Sequence, residues 1–167
     1  MDNIELNNLK DVRLVNSALS DHAGNLSKIY YSRVRGSGTG NSLSKKVFQA
    51  KSKQDNEAVE EIEIATVKLS DYLSEQADLV KLDIEASELK VIKELQLSGK
   101  LTKVSEFVLE YHYNREFKDN NLDELIAVLE NNHFRTLIYR VDHDFNINLL
   151  KRKRFYHYII SAYKNHE

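Results

Sequence analysis

Cysteine and proline are both absent from the 167 residues. The first absence excludes disulfides, thiolate metal sites and a catalytic thiol. It is compatible with a reducing compartment, and the expectation is a cytoplasmic protein. The second leaves the turns to Gly, Asn, Asp and Ser. No apolar run approaches the ~18 residues that a membrane helix needs. Residues 1–10 are polar and acidic, without the apolar stretch of a signal peptide. The Asn25-Leu26-Ser27 sequon is therefore expected to be idle. Strong charge of one sign is missing too. A net charge of -2 supplies no field to draw nucleic acid or a membrane surface, and neither is expected as a partner.

What is present suits one domain, residues 1–167. An apolar share of 41% is enough for a single core. Residues 3–10 are too short to stand as a helix alone. Residues 12–19 read as a strand, and 26–32 as a second, with the turn Ser20-Asp21-His22-Ala23-Gly24-Asn25 between them. An antiparallel hairpin is the expectation. Residues 33–57 hold Gly36-Ser37-Gly38-Thr39-Gly40, then Ser, Lys and Gln, and read as a mobile surface loop, a candidate lid. Ile62, Ile64 and Thr66 alternate with other residues in a half-buried strand over 61–69. Ser70 is placed to cap a short helix over 71–76. Residues 78–84 form a nearly continuous apolar run, the pattern of a parallel strand covered on both faces. A helix over 86–97 buries Leu89, Val91, Ile92 and Leu95. A strand over 104–111, a helix over 122–132 and two strands at 133–141 and 154–163 complete the order. The class is α/β, ending in an antiparallel hairpin.

Chemistry is concentrated where the buried strand gives way to the helix, at Lys81-Leu82-Asp83-Ile84-Glu85-Ala86-Ser87-Glu88. Asp83 and Glu85 share a side by the strand period of two. In open α/β sheets, ligands bind outside the carboxyl ends of the strands. Acidic residues at a helix N-terminus are also favoured by the helix dipole, by about 0.3–1 kcal/mol each. That accounts for Glu85 and Glu88 without any function, but not for Asp83, which lies inside the strand. The next strand ends in Glu110-Tyr111-His112, with Glu110 and His112 on one face. If the strands are neighbours, Asp83, Glu85, Glu110 and His112 line one crevice. Such a group could orient a hydroxyl, take its proton, or hold a divalent cation. No metal ligand set is assigned from the sequence.

The run from Asp78 through Lys81-Leu82-Asp83-Ile84-Glu85-Ala86-Ser87-Glu88 resembles a lysine–apolar–Asp–apolar–Glu–Gly–Ala–Glu motif. Thr66-Val67-Lys68-Leu69-Ser70-Asp71 resembles the approach to that motif. Asn3-Ile4-Glu5-Leu6-Asn7, Ala18-Leu19-Ser20-Asp21-His22-Ala23-Gly24 and Leu109-Glu110-Tyr111-His112 resemble its flanking segments, in the same order. Together these cover residues 3–135 and resemble the FkbM-type S-adenosylmethionine-dependent methyltransferases. The resemblance implies a Rossmann-like sheet and methyl transfer to an oxygen of a sugar or similar small molecule. It places Asp83, Glu85 and His112 in catalysis, His112 as proton acceptor. Glu88 and Glu110 would support substrate binding, and Ala18, Ser20 and Asp21 would touch the cofactor.

Two departures from the pattern stand out. Ala86 occupies a glycine position, which matters if the backbone there needs positive φ. The glycine-rich turn that cradles the cofactor would precede residue 3, and Gly36–Gly40 has neither its spacing nor a buried strand leading into it. The chain is therefore expected to be part of a longer domain, with strand 78–84 left open along one edge. The alternative is an inactive remnant that serves as a binding module, pairing through that edge into a homo-oligomer. Asp142, Asp144 and Asn146 open like a calcium loop, but Ile147 and Lys153 break the pattern. The basic run 151–154 reads as a charged turn. Tyr30, Tyr31, Tyr156 and Tyr158 read as sheet-packing residues.

Overall fold

A computed structural model of the chain describes residues 3–31, 41–46, 48, 59–113, 120–141 and 156–164. Their elements, in chain order, are α1 (Asn3–Leu6), β1 (Ala18–Ser20), β2 (Gly24–Tyr31), β3 (Glu60–Lys68), β4 (Ala77–Leu82), α2 (Glu88–Leu97), β5 (Val104–Tyr113), α3 (Leu122–Asn131), β6 (Arg135–Arg140) and β7 (Tyr156–Tyr163). Short 3-10 turns at Leu69–Tyr72 and Leu101–Lys103 lead into β4 and β5. The strands form two sheets, ordered β1-β3-β2 and β4-β5-β7-β6. The α/β class and the terminal hairpin of β6 and β7 stand as expected.

The larger sheet holds the core. β4, α2 and β5 make a strand–helix–strand unit, with β4 and β5 parallel. α2 buries Leu89, Val91, Ile92 and Leu95, and α3 buries Leu125 and Leu129. These pack on the sheet face formed by Leu82, Phe107, Leu109, Tyr111, Ile160 and Ala162. Phe107 and Phe134 meet there, with ring centroids 5.4 Å apart. Both helices end in paired backbone bonds that reach back into the last turn. In α2, Gly99 takes φ 70, while Lys100 N–H bonds to Leu95 C=O and Gly99 N–H to Gln96 C=O. In α3, His133 takes φ 68, with Phe134 N–H on Leu129 C=O and His133 N–H on Glu130 C=O. Asn121 caps the start of α3 by accepting from Glu124 N–H.

Several expectations need correction. The strand at 12–19 is reduced to Ala18–Ser20, and Val12, Leu14 and Val15 are exposed. No hairpin joins β1 and β2. Instead β3 lies between them, parallel to β1 and antiparallel to β2, with Thr66 opposite both Ala18 and Gly24. At nine residues β3 is long enough to satisfy the backbone of both neighbours along its two edges, which a two-strand hairpin cannot do. Only the C-terminal part of β3 is covered: Ile62 is exposed and Thr66 buried. Ser70 caps nothing. Its hydroxyl donates to Glu94 Oε1 at 2.5 Å, pinning the 3-10 turn to α2. Strand 78–84 is not covered on both faces. Among the described residues β4 pairs with β5 alone, and Leu79 is 56% exposed. Within the expected loop 33–57, Ser42 bridges to Tyr30 and Phe48 is fully buried. Gly36–Gly40, the calcium-like stretch and the basic run lie outside the described residues.

Candidate functional site

β4 ends at Leu82, paired with Leu109 of β5. The segment 83–87 then crosses to α2 in a strained turn, in which Glu85 (φ 55) and Ala86 (φ 73) both adopt the left-handed region. Glu88 holds this turn from inside. It is fully buried, and its Oε1 accepts from Ile84 N–H (3.1 Å) and Ala86 N–H (3.3 Å). Ser42 holds it from outside, donating its hydroxyl to Glu85 C=O at 3.0 Å. The glycine position occupied by Ala86 does require positive φ. Ala86→Gly is expected to stabilise the fold by about 0.5–1 kcal/mol, the left-handed penalty less the added freedom of the unfolded chain. A chemical-denaturation midpoint that falls in this variant would contradict that account.

The turn brings several predicted residues together. Glu85 Oε2 lies 3.5 Å from His112 Nδ1, both side chains less than one-fifth exposed. Asp83 and Glu85 line a cavity of about 320 Å³ with Ser17, Ala18 and Asn41. Asp83 also pairs with Lys81 at 3.5 Å. Ser20 and Asp21 line an adjoining cavity of about 390 Å³ with His22, Ala86 and Ser87, and Leu43 borders both. Asp21 Oδ1 accepts from the Ser20 hydroxyl (3.0 Å) and meets His22 Nδ1 at 2.8 Å. The His22 hydrogen bond holds the Asp21 carboxyl below the usual carboxylate range. A larger concavity of about 650 Å³ runs along α2 past Lys90, Lys93 and Leu97. Of the site candidates it touches only Asp21, so size alone does not mark the site.

Three candidates do not line these cavities: His112, which reaches them only through Glu85, and Glu88 and Glu110. Glu88 faces the turn's backbone, and its geometry is that of a positioning residue. Glu110 pairs across the sheet, with Oε1 3.0 Å from His157 Nε2. Asn120, Ser42 and His157 carry site contacts that the sequence did not suggest. The buried Asn120 amide donates to His112 C=O. Nothing in the local pattern marks Asn120 or Ser42. His157 could have been noticed only by aligning β7 on β5, since its neighbours Tyr156 and Tyr158 dominate the segment.

Asp83 and Glu85 thus line a cavity at the carboxyl end of a parallel pair, with His112 behind Glu85, and it is outside such strand ends that open α/β sheets bind ligands. The family model for the methyltransferase FkbM domain matches residues 3–136. The chain belongs to that family, and its reaction class is methyl transfer. No curated protein and no solved structure matches it.

Proposed function

We propose that the chain forms the acceptor side of an S-adenosylmethionine-dependent O-methyltransferase of Rossmann-like fold, acting on a hydroxyl of a sugar or similar small molecule. The observation that carries this reading is the pairing of Glu85 with His112 beside a cavity lined by Asp83, in a chain of the FkbM family. The residues present fit one end of the cofactor. The Ser20 hydroxyl and the partly exposed Asp21 carboxylate offer polar partners for an adenine amino group or a ribose hydroxyl. When bound, S-adenosylmethionine supplies an electrophilic methyl group.

The chain's own residues do the rest. Asp83 and Glu85 accept hydrogen bonds from the acceptor and orient it. Glu85 holds the His112 ring through Nδ1, which leaves Nε2 to take the acceptor's proton. Glu88 keeps the turn in place, and Glu110 holds His157, the cross-strand partner of His112.

Titration of the purified chain with S-adenosylhomocysteine tests it. Binding in the micromolar range, with roughly 2.7 kcal/mol of stabilisation at a hundredfold excess over Kd, supports the reading. A second reading has the exposed Leu79 edge in its favour: an inactive binding module that pairs through β4. It predicts no heat with the cofactor product and a mass by light scattering that grows with concentration.

A further inference from the structure

His112 and His157 are direct partners in the antiparallel register of β5 and β7. Glu110 lies two residues before His112 on the same face. The strands thus present a carboxylate and two imidazoles from rigid backbone. One ligand atom from each of the three lies within 4.8 Å of the others. All three side chains are about one-third exposed or less, and His157 Nε2 itself is buried.

We propose that Glu110, His112 and His157 bind a divalent first-row transition-metal ion. Two imidazole nitrogens and one carboxylate suit zinc and its neighbours better than magnesium or calcium, which take oxygen ligands. Three protein ligands leave one tetrahedral position open, the arrangement of a zinc site that handles substrate rather than one that only staples the fold. Glu85 on His112 Nδ1 supplies the outer-shell carboxylate that fixes a ligating imidazole and leaves Nε2 for the ion. The rings now lie nearly parallel, 9° apart with centroids separated by 4.8 Å. Ligand atoms around a tetrahedral ion stand about 3–3.5 Å apart. Glu110 and His157 already meet this spacing, so binding needs one ring to turn toward the pair. The open position would take an acceptor hydroxyl or water, and His112 would then be a ligand rather than the proton acceptor. That last step rests on the methyl-transfer reading; the metal site itself does not.

The chain is freed of metal with a chelator and titrated calorimetrically with zinc chloride. One equivalent should bind with a Kd in the micromolar range or below. His157→Gln and Glu110→Gln should each weaken binding by at least about tenfold. His133→Asn, an exposed histidine in a left-handed position that asparagine tolerates, should leave it unchanged. Cobalt should give visible d–d absorption with the wild type that Glu110→Gln diminishes. If zinc does not bind the wild type, or binds His157→Gln and Glu110→Gln as tightly, the site does not exist. Should His157→Gln fail to fold, Glu110→Gln decides alone. Because zinc and S-adenosylhomocysteine are titrated separately, failure of one does not imply failure of the other.

Discussion

Glu88→Ala is expected to lower folding stability by about 2–3 kcal/mol, whereas Glu88→Gln costs only about 1 kcal/mol. The difference isolates the acceptor oxygen. In the native chain Oε1 satisfies two amides, those of Ile84 and Ala86, within a turn where two successive non-glycine residues hold positive φ. Alanine leaves those amides without their partner and opens a void in the interior; glutamine keeps an oxygen at the same place. The turn should relax once the clamp is gone, and Glu85 should leave His112. Urea denaturation of the two variants measures the first effect. Loss of S-adenosylhomocysteine or zinc affinity in Glu88→Ala alone reports the second. Equal destabilisation by alanine and glutamine would mean that the oxygen is not what holds the turn.

Tyr111→Phe is expected to stabilise the chain, by about 1 kcal/mol at neutral pH and by progressively more in alkali. The Tyr111 ring is fully buried, and its hydroxyl has no hydrogen-bond partner among the described residues. Burial, then the nearby Glu88 charge, push the phenol's pKa up. The sign follows from proton counting. Above pH ~10 the unfolded tyrosine loses its proton while the folded one keeps it, so the unfolded state binds fewer protons and stability falls as pH rises. Below that pH both states are neutral and the contribution is fully present. Each pH unit above ~10 should therefore separate wild type from variant by about 1.4 kcal/mol more. Denaturation midpoints for both proteins between pH 8 and 12 check this, in a window chosen around the ordinary tyrosine pKa of about 10. Parallel alkaline curves would mean that the hydroxyl reaches a partner or water.

Both variants probe the core side of one arrangement. Tyr111 and His112 are consecutive on β5 and face opposite sides of the sheet, one into the core and one toward the site. Glu88 lies on the core side and the Glu85 carboxylate on the side of the candidate site, so the 83–87 turn links the two. Strain at Glu85 and Ala86 is held by the buried clamp below and the Ser42 hydroxyl above.

By itself the sequence determined the α/β class, the β4–α2–β5 unit, the apolar stripe of α2 and the candidate residues at the end of β4. Those properties are local: periodicity sets which face of Leu89, Ile92 and Leu95 is buried, and the motif around Asp83 is contiguous. Tertiary structure alone decided three things. It placed β3 between β1 and β2, since strand pairing depends on which backbone edges a later segment can reach. It turned Glu88 from a site carboxylate into an interior clamp, since the direction of a side chain in the first helical turn depends on how the preceding turn folds. It also set His157 beside His112 and Glu110, since register between strands separated by more than forty residues is written in no local pattern.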